Sequence, residues 1–516
     1  MPNLSTDALF QLVKSLEKSE KRNFKLYAKR NSSSQDLKVV QLFDAMDKMA
    51  DYNEKELLKK TKSVKKQQLS NIKANLYKQI LSSLRLIKEE DNIDIHLHEM
   101  MDHARILYNK GLYLQSLKMI ERLKETAKAH QQLTFLQQAL FFEKKIESLY
   151  ITRSIQNKAD LLTAESDSVN NQITLVNQLS NLSLQLYSWY IKNGHARNSR
   201  DISELRGFFE KNLPADAVQA VGFYENLYLY QSYVWYAFIR QDFLQYYRYS
   251  QKWVDAFTTY PELLKTETAS YIKGVHNLMT AQFSLLSQEK LAISIKQFEN
   301  FTKQKFLQDN ENNRILAYQY LYTARINLYF LQGNFTKGLR LVPFLEEMLK
   351  EYSLYLDTHR VLIFYYKIAC LYFGSGDNEK AIDYLNRIIN QKGDLRTDLQ
   401  CYSRLLHLIA HYELGNFDLL EYLIKSVYRY MAKMENLSKV EEEMFAFLRR
   451  SFHVGAKALK PEFEKLVTKL KKYEGNPLES RAFVYLDVIS WLQSKISGVH
   501  VQDVIKEKFS NGKRRE

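Results

Sequence analysis

One short motif recurs along this chain and limits how the chain can fold. It places a tyrosine three or four residues before a glycine, between apolar segments with helical spacing. The clearest copies are LYNKGLY (107–113), LYFLQGNF (328–335), LYFGSGDN (371–378) and HYELGNF (411–417). Because glycine tolerates a left-handed backbone at little steric cost, each copy predicts a tight turn between two helices. We expect turns at intervals of 37 to 47 residues, near Gly111, Asn157, Gly194, Gln241, Gln288, Gly333, Gly376, Gly415 and Gly455.

The chain has too few turn-forming residues for a β-rich or α/β fold of this length. Only 15 of its 516 residues are glycine and 6 are proline. The stretch Val361–Gln391 shows the helical alternative, because apolar residues recur with helical spacing on both sides of a Gly-Ser-Gly-Asp turn. They are Tyr365, Ile368, Ala369 and Tyr372 before the turn and Ala381, Leu385 and Ile388 after it. We therefore predict an all-α fold.

Val361–Gln391 resembles a tetratricopeptide repeat, whose signature is a large–apolar–small–Tyr helix, a Gly-Asp or Gly-Asn turn, and a second helix that opens on Ala. The small residues Ala369 and Ala381 stand where two antiparallel helices approach closely. The resemblance covers one repeat well and much of the chain loosely. It implies a right-handed solenoid of helical hairpins, which stack because no single hairpin can bury its own apolar face. The period here exceeds the roughly 34 residues of an ideal repeat.

Three regions are predicted on this basis. They are a basic N-terminal helical bundle at 1–95, a tetratricopeptide-like solenoid at 96–456, and C-terminal capping helices with a basic tail at 457–516. The phrase KSEKRNFKLY (Lys18–Tyr27), followed by long Tyr-rich helices, also resembles a group of bacterial helical-repeat proteins. That second resemblance brings no known activity.

Prolines predict where several helices begin. Pro343 should kink a helix or make it begin anew, because proline lacks the N–H that a helix interior needs. Pro461 should open a helix that runs to Lys472, and Pro477 should open another that runs to about Ser494.

The N-terminal region carries a strong positive charge. Apolar spacing predicts five helices there, the last a long amphipathic helix at about 64–88. Between Lys55 and Lys88 there are ten Lys or Arg residues and one acidic residue, a net charge of +9. This layout could form a helix-turn-helix that contacts phosphates, and it resembles regulators in which such a motif precedes tetratricopeptide repeats. The alternative is a solvated basic face. The nucleic-acid candidates are Lys59, Lys60, Lys62, Lys65, Lys66, Lys73 and Lys78.

A dense aromatic band supplies the other candidate surface. Thirteen aromatic residues fall within the 31 residues from Phe223 to Trp253. Helical spacing assigns many to a core, but so many tyrosine hydroxyls need partners, and some should line a groove. A groove with nearby arginines would suit an acidic or amphipathic peptide, and base stacking is the less favoured use. The groove candidates are Tyr230, Tyr233, Tyr236, Arg240, Tyr247 and Arg248.

Catalytic motifs are absent from the sequence. It has no phosphate-binding glycine loop, no nucleophile elbow and no HExxH motif. The residues from His98 to His103 form the best metal-like cluster, which supports an enzyme only as the weakest alternative. His407 and His411, and the two cysteines Cys370 and Cys401, are expected to pack among apolar residues. We predict a non-enzymatic protein with no cofactor and no metal.

Membrane and targeting signals are also missing. Ser168–Ile191 is a run of 24 residues without a charge, but its many Asn and Gln residues make it too polar to span a bilayer. Its apolar residues fall on one side, which predicts an amphipathic helix. Charged residues stand near the N-terminus where a signal peptide needs an apolar stretch. We expect a cytoplasmic protein without a membrane partner, and leave its oligomeric state open.

The favoured function is therefore an interaction scaffold that binds a protein or peptide segment in the groove of a solenoid. The alternative is a nucleic-acid-binding regulator that uses the basic N-terminal region. The formal charge of the whole chain, +15, favours anionic partners for either function.

Overall fold

All regular elements in the described part of the chain are helices, which confirms the predicted all-α class. The computed structural model describes residues 7–30, 34–61, 63–87, 92–149, 157–352, 356–391, 397–433, 438–451, 456–474, 479 and 487–510. The chain divides into two compact units, residues 1–169 and 170–516. This division falls within a single helix, Lys158–Asn193, and lies later in the chain than residue 95.

The first unit is built from short helices followed by longer ones. They are α1 (Ala8–Ser15), α2 (Lys18–Arg30), α3 (Ser34–Lys48), α4 (Glu54–Lys60), α5 (Lys66–Ile87), α6 (Ile93–Asn109), α7 (Tyr113–Ala129), α8 (Leu133–Leu149) and the start of α9 (Lys158–Asn193). The five helices predicted at the N-terminus are confirmed. They share one apolar core, in which Phe24 and Phe43 contact each other with ring centroids 4.7 Å apart. Asp7 caps α1, because its carboxylate accepts hydrogen bonds from the N–H groups of Leu9 and Phe10.

A buried ion network joins α7, α8 and α9 within this unit. Lys124 donates to Glu143 at 2.9 Å and to Glu165 at 2.8 Å. Although burial opposes it, hydrogen bonds to these two carboxylates raise the pKa of Lys124. The chain here therefore holds its buried charges in pairs.

The second unit continues α9 and alternates longer helices with tight turns. Its helices are α10 (Ser199–Asn212), α11 (Phe223–Ile239), α12 (Phe243–Thr259), α13 (Leu263–Thr266), α14 (Thr268–Ser284), α15 (Gln288–Phe301), α16 (Lys305–Gln308), α17 (Glu311–Gln332), α18 (Phe335–Gly338), α19 (Val342–Glu351), α20 (Thr358–Ser375), α21 (Asn378–Ile389), α22 (Thr397–Glu413), α23 (Phe417–Lys433), α24 (Lys439–Ser451), α25 (Ala456–Lys471), α26 (Val488–Ser497) and α27 (Val501–Ser510). Helices that follow one another in the chain pack together, as α11 does on α12 and α20 on α21.

The recurring turns adopt the left-handed backbone that the sequence predicts. Positive φ occurs at Gly111, Asn157, Gly194, Gln241, Leu286, Gly333, Gly376 and Gly415. The turn expected near Gln288 is centred two residues earlier, at Leu286. Leucine rarely adopts this conformation because its Cβ meets the backbone, so the position is set by packing rather than by propensity. The turn expected at Gly455 lies outside the described residues.

Two glycines allow helices to approach closely. A Cβ built on Gly338 would lie 2.6 Å from a methyl carbon of Leu371, and one built on Gly374 would lie 2.2 Å from the ring of Phe335. These contacts bring α18 against α20 with no side chain between the backbone and its neighbour. Pro343, which lies between these two glycines in the sequence, stands in the first turn of α19, after a short 3₁₀ segment. The predicted restart of the helix is therefore confirmed.

The prediction for Pro461 was wrong. Pro461 lies inside α25, which begins at Ala456. Proline removes one backbone hydrogen bond, but alanine and lysine precede it here, and both are strong helix formers that extend the helix toward the N-terminus. Pro477 and the basic tail at 511–516 lie outside the described residues.

The last two helices return to the turns of earlier helices in the same unit. Thr336 donates its hydroxyl to the side-chain oxygen of Gln502 at 2.9 Å, across 166 residues of chain. A Cβ on Gly333 would lie 2.6 Å from the backbone oxygen of Gln502. In α26, the Trp491 indole donates to Glu413 at 2.6 Å. The C-terminal helices thus close against the edge where these turns lie.

We expect Gly374→Ala to lower the free energy of unfolding by about 1–3 kcal/mol, because the new methyl group overlaps the ring of Phe335. Chemical denaturation measures this change. Gly207→Ala is the matched control, since Gly207 lies in α10 with nothing within 4 Å of its Cβ position. The control should be neutral or about 0.5–1 kcal/mol more stable. Equal stability of the two variants would contradict the close approach.

Candidate ligand-binding site

The aromatic residues predicted to form one groove contact residues of several helices. The rings of Tyr233 and Tyr249 stack with centroids 4.2 Å apart and an interplanar angle of 6°. The ammonium of Lys252 lies 5.2 Å from the Tyr249 centroid and 5.8 Å from that of Tyr230. Tyr230 and Tyr233 therefore belong to the packing between α11 and α12.

The remaining groove candidates contact different helices. Tyr236 stacks on Phe209 of α10 at 4.1 Å, and the Arg240 guanidinium lies 4.9 Å above the Tyr236 ring. Tyr247 is covered by Lys290 of α15 at 5.0 Å. Arg248 is exposed. Tyr233 also contacts Phe209, with ring centroids 5.1 Å apart. Tyr249 and Phe209 thus connect Tyr230, Tyr233 and Tyr236. That the six candidates line one groove stays a prediction.

The structure also assembles a second set of residues, one or two from each of five helices. We call this set the cation–aromatic cluster. It consists of Tyr187 (α9), Trp235 (α11), Lys273 and His276 (α14), Tyr320 and Asn327 (α17), and Arg360 and Lys367 (α20).

Its first half joins α9, α11 and α14. The rings of Tyr187 and Trp235 contact each other with centroids 4.9 Å apart. The ammonium of Lys273 lies 5.3 Å from the Tyr187 centroid and 5.8 Å from that of Trp235. A cation at this distance is attracted by the negative faces of both rings.

Its second half joins α14, α17 and α20. His276 stacks on Tyr320, with ring centroids 3.8 Å apart and an interplanar angle of 9°. Lys367 donates a hydrogen bond to the side-chain oxygen of Asn327. The Lys367 ammonium also lies 5.6 Å from the ring centroid of Phe330 and 6.0 Å from that of Phe283.

The charges of this cluster are poorly balanced. Arg360 pairs with Asp357 at 3.3 Å. By contrast, neither Lys273 nor Lys367 has a carboxylate within 4 Å among the described residues. This differs from Lys124 in the first unit, whose buried charge meets two carboxylates.

Burial changes the pKa values of these groups. It lowers the pKa of Lys367 to about 8, and it lowers that of Lys273, with a further contribution from the charge of Arg360. The pKa of His276 falls to about 3, chiefly through burial and then through the charges of Lys367, Lys273 and Arg360. His276 is therefore neutral at pH 7.

Part of each lysine nevertheless remains in contact with solvent. Lys273, Lys367 and His276 are all half-buried, although protein surrounds them closely enough to shift their pKa values. A group that is surrounded in this way and still contacts water lies in a recess rather than on a flat surface. Such a recess can attract an anion, since its lysines lack a carboxylate.

Sequence reasoning missed this cluster, although a signal for it exists. Lys367 is the only charged residue between Val361 and Gly376, and a lone charge in an apolar helix is unusual. Several contacting pairs are also separated by 38 to 48 residues, close to the period of the turns: Tyr187 and Trp235 by 48, Trp235 and Lys273 by 38. Placing successive helices side by side would have revealed them.

The predicted nucleic-acid candidates lie in the first unit and divide into two kinds. Lys59, Lys65, Lys66 and Lys78 are exposed. Lys60 is also exposed and pairs with Glu56 at 2.7 Å. Lys62 lies outside the described residues.

Lys73 is held inside the N-terminal bundle. It pairs with Asp7 and donates to the Tyr52 hydroxyl at 3.0 Å. Burial opposes its charge, but the hydrogen bonds to Asp7 and Tyr52 raise the pKa of Lys73 overall. These internal contacts leave Lys73 less free than the exposed lysines to contact a phosphate.

The predicted metal-like residues contact other groups. His98 packs against Phe135 with ring centroids 4.7 Å apart, and Asp102 pairs with Arg85 at 3.3 Å. The His103 ring lies 3.8 Å from a carboxylate oxygen of Glu99. Within the described ranges, no group of three or more His, Cys, Asp or Glu residues could hold a metal ion.

The paired histidines and the cysteines are buried. The Nε2 atoms of His407 and His411 lie 3.3 Å apart, and burial lowers the pKa of His407 to about 4. Cys370 and Cys401 are buried and form no disulfide. Burial also raises the pKa of the Cys370 thiol to about 12, so it is a poor nucleophile at neutral pH.

Comparison with known proteins gives no relative. No protein-family model matches the chain, and no curated protein or solved structure matches it either. Among the helices that the structure describes, none combines the length and the apolar character needed to cross a bilayer.

We expect Lys367→Met to raise the free energy of unfolding at pH 7 by about 1–2 kcal/mol, since folding wild-type protein places a charge in a recess without a carboxylate. The folded-state pKa of Lys367, about 8, lies below its ordinary value of 10.5. The free energy of unfolding of the wild type should therefore rise as the pH increases from about 8 to 10.5, because in this range the unfolded state keeps the lysine proton and the folded state loses it. Denaturation should show a smaller stability difference between Lys367→Met and wild type at pH 10 than at pH 7.

Lys296→Met is the matched control, because Lys296 is an exposed lysine of α15. The control should change stability little at either pH. If Lys367→Met destabilised the protein equally at both pH values, burial of the Lys367 charge would not lower the stability of the wild type as inferred.

Proposed function

We propose that this protein is a non-enzymatic scaffold that binds a protein or peptide segment. In this proposal the second unit forms a right-handed, tetratricopeptide-like solenoid, and the cation–aromatic cluster lies in its concave groove. The support comes from the regular left-handed turns and from the packing of successive helices. The observation that carries the proposal is that five helices each contribute to the cation–aromatic cluster, in which the charges of Lys367, Lys273 and Arg360 all act on His276.

An extended chain segment fits such a surface better than a compact small molecule. Neighbouring helices pack about 8–10 Å apart, so five helices present a surface of roughly 40 Å. An extended peptide rises about 3.3–3.6 Å per residue, and about eleven residues would therefore cover it. Aromatic and cationic side chains on that surface are typical of peptide recognition.

The proposal also places the protein in the cytoplasm, as a reduced protein without a cofactor. Its two cysteines are buried and form no disulfide, which suits a reducing compartment. The histidine pair and the metal-like residues described above are engaged in packing and ion pairs, which favours a binding role over catalysis.

Crosslinking from the cluster tests the scaffold proposal. We expect a photo-crosslinking amino acid at Tyr187, which is 38% exposed, to form adducts with protein in nuclease-treated native lysate. Mass spectrometry of these adducts should map them to one short segment of each partner. The same probe at Tyr422, an exposed tyrosine of α23, is the matched control and should give no such adducts. Equal labelling from both positions, or none from Tyr187, would refute the proposal.

A nucleic-acid-binding regulator is the second candidate. The observation that favours it is the exposure of Lys59, Lys65, Lys66 and Lys78, none of which pairs with a carboxylate in the described part of the chain. These lysines belong to the segment with a net charge of +9. Exposed cations attract phosphates, and such contacts make affinity depend on salt.

Charge reversal at these four lysines tests the second candidate. If the basic segment binds nucleic acid, replacing them with Glu should abolish binding to a DNA duplex and to a single strand. Neutral Gln variants should make the affinity depend less on salt. The slope of the logarithm of the binding constant against the logarithm of the salt concentration should become about 0.9 less negative for each duplex phosphate that a variant no longer neutralises. Fluorescence anisotropy across salt concentrations measures both effects. Lys110→Glu with Lys118→Glu, at exposed positions of the same unit, is the control. Unchanged affinity in the fourfold variant would exclude this function.

A further inference from the structure

The two unpaired lysines of the cation–aromatic cluster have hydrogen-bond donors to spare. A lysine ammonium carries three N–H groups. That of Lys367 donates to Asn327, and that of Lys273 lies against the ring faces of Tyr187 and Trp235. Within the described residues, neither lysine has a carboxylate within 4 Å. The cluster thus carries lysine donors on both α14 and α20.

The charges near the cluster leave it positive. His276 is neutral at pH 7, because burial and the neighbouring cations lower its pKa to about 3. Arg360 is partly compensated by Asp357. Lys273 and Lys367 therefore give the cluster a net positive charge, and an anion placed there would offset the cost of burying them.

The aromatic residues favour a peptide over a nucleic acid. A base would need a free ring face for stacking. Here Tyr187 and Trp235 contact each other, Lys273 lies over both rings, and Tyr320 stacks on His276. These contacts reduce the ring surface left for bases. The anionic group should therefore arrive on a chain that needs no stacking.

We propose that Lys273 and Lys367 form the carboxylate subsite for an acidic peptide, in which each ammonium group binds a carboxylate. In this arrangement each lysine donates N–H hydrogen bonds to the peptide, and Asn327 positions Lys367. The peptide then runs past Tyr187, which is exposed. This inference rests on the proposed scaffold function and defines the chemical class of its ligand.

The direct test uses defined peptides and the full-length protein. The probe is a fluorescent, end-blocked peptide with a short run of glutamates, and its binding is followed by anisotropy at low and at physiological salt. We expect Lys273→Met or Lys367→Met to weaken binding by at least about tenfold, since each removes one partner of a buried charge pair. Lys296→Met should bind as wild type does. Unchanged affinity in both cluster variants would overturn the inference.

Three further probes identify the source of the anion. A matched glutamine peptide with blocked ends should not bind, and equal binding by it would overturn the inference. A glutamine peptide with a free C-terminal carboxylate distinguishes a chain end from acidic side chains. If it binds and needs Lys273 or Lys367, the carboxylate subsite stands and its source is the chain end. A short oligothymidylate that binds more tightly than the glutamate peptide, and needs the same lysines, would replace the acidic peptide with a nucleic acid.

Stability measurements separate binding effects from misfolding. If denaturation shows that Lys367→Met is at least as stable as wild type, as we expect, a loss of binding in that variant does not come from unfolding. The crosslinking experiment separates this inference from the scaffold proposal. If Tyr187 adducts form with wild type and persist unchanged with Lys273→Met and Lys367→Met, the scaffold stands and the carboxylate subsite fails. If Tyr187 gives no adducts and the glutamate peptide does not bind, both fail.

Discussion

The architecture of the second unit depends on one backbone constraint, a left-handed turn repeated at nearly constant spacing. Each turn reverses the chain within a few residues. Side chains of one helix can therefore contact those of the next helix but one. Residues about 40 positions apart in the chain therefore become neighbours. Trp235 reaches Lys273, and Asn327 reaches Lys367, without any long connecting loop. The cation–aromatic cluster is a direct product of this regularity.

The two lysines of the cluster are the positions where we propose that the chain trades stability for binding. In the first unit, by contrast, the charge of Lys124 meets two carboxylates. Among the described residues Lys273 and Lys367 have no such partner, and burial lowers their pKa values. Under the proposed function, another molecule supplies the interaction that the folded chain does not.

A structural feature could be predicted from the sequence when the residues that form it are close together in the chain. The all-α class, the left-handed turns and the restart at Pro343 depend on local chemistry, and the structure confirms them. The helix start at Pro461 failed because residues before the proline also favour a helix. The cluster could not be predicted from spacing within one helix, which separates buried from exposed faces but does not say which helices meet. Tyr236 illustrates this limit, since its partner Phe209 belongs to another helix.

The return of the last helices to earlier turns changes how this unit should unfold. An array of hairpins in which each contacts only its neighbours melts gradually from its ends, since its energetics are nearly one-dimensional. The contact between Thr336 and Gln502 spans 166 residues and closes a long loop around the later helices. This loop couples hairpins that would otherwise open independently, so they gain cooperativity. It also forms only after α27 has been synthesised, so the growing chain acquires its local hairpins first and its global rigidity last.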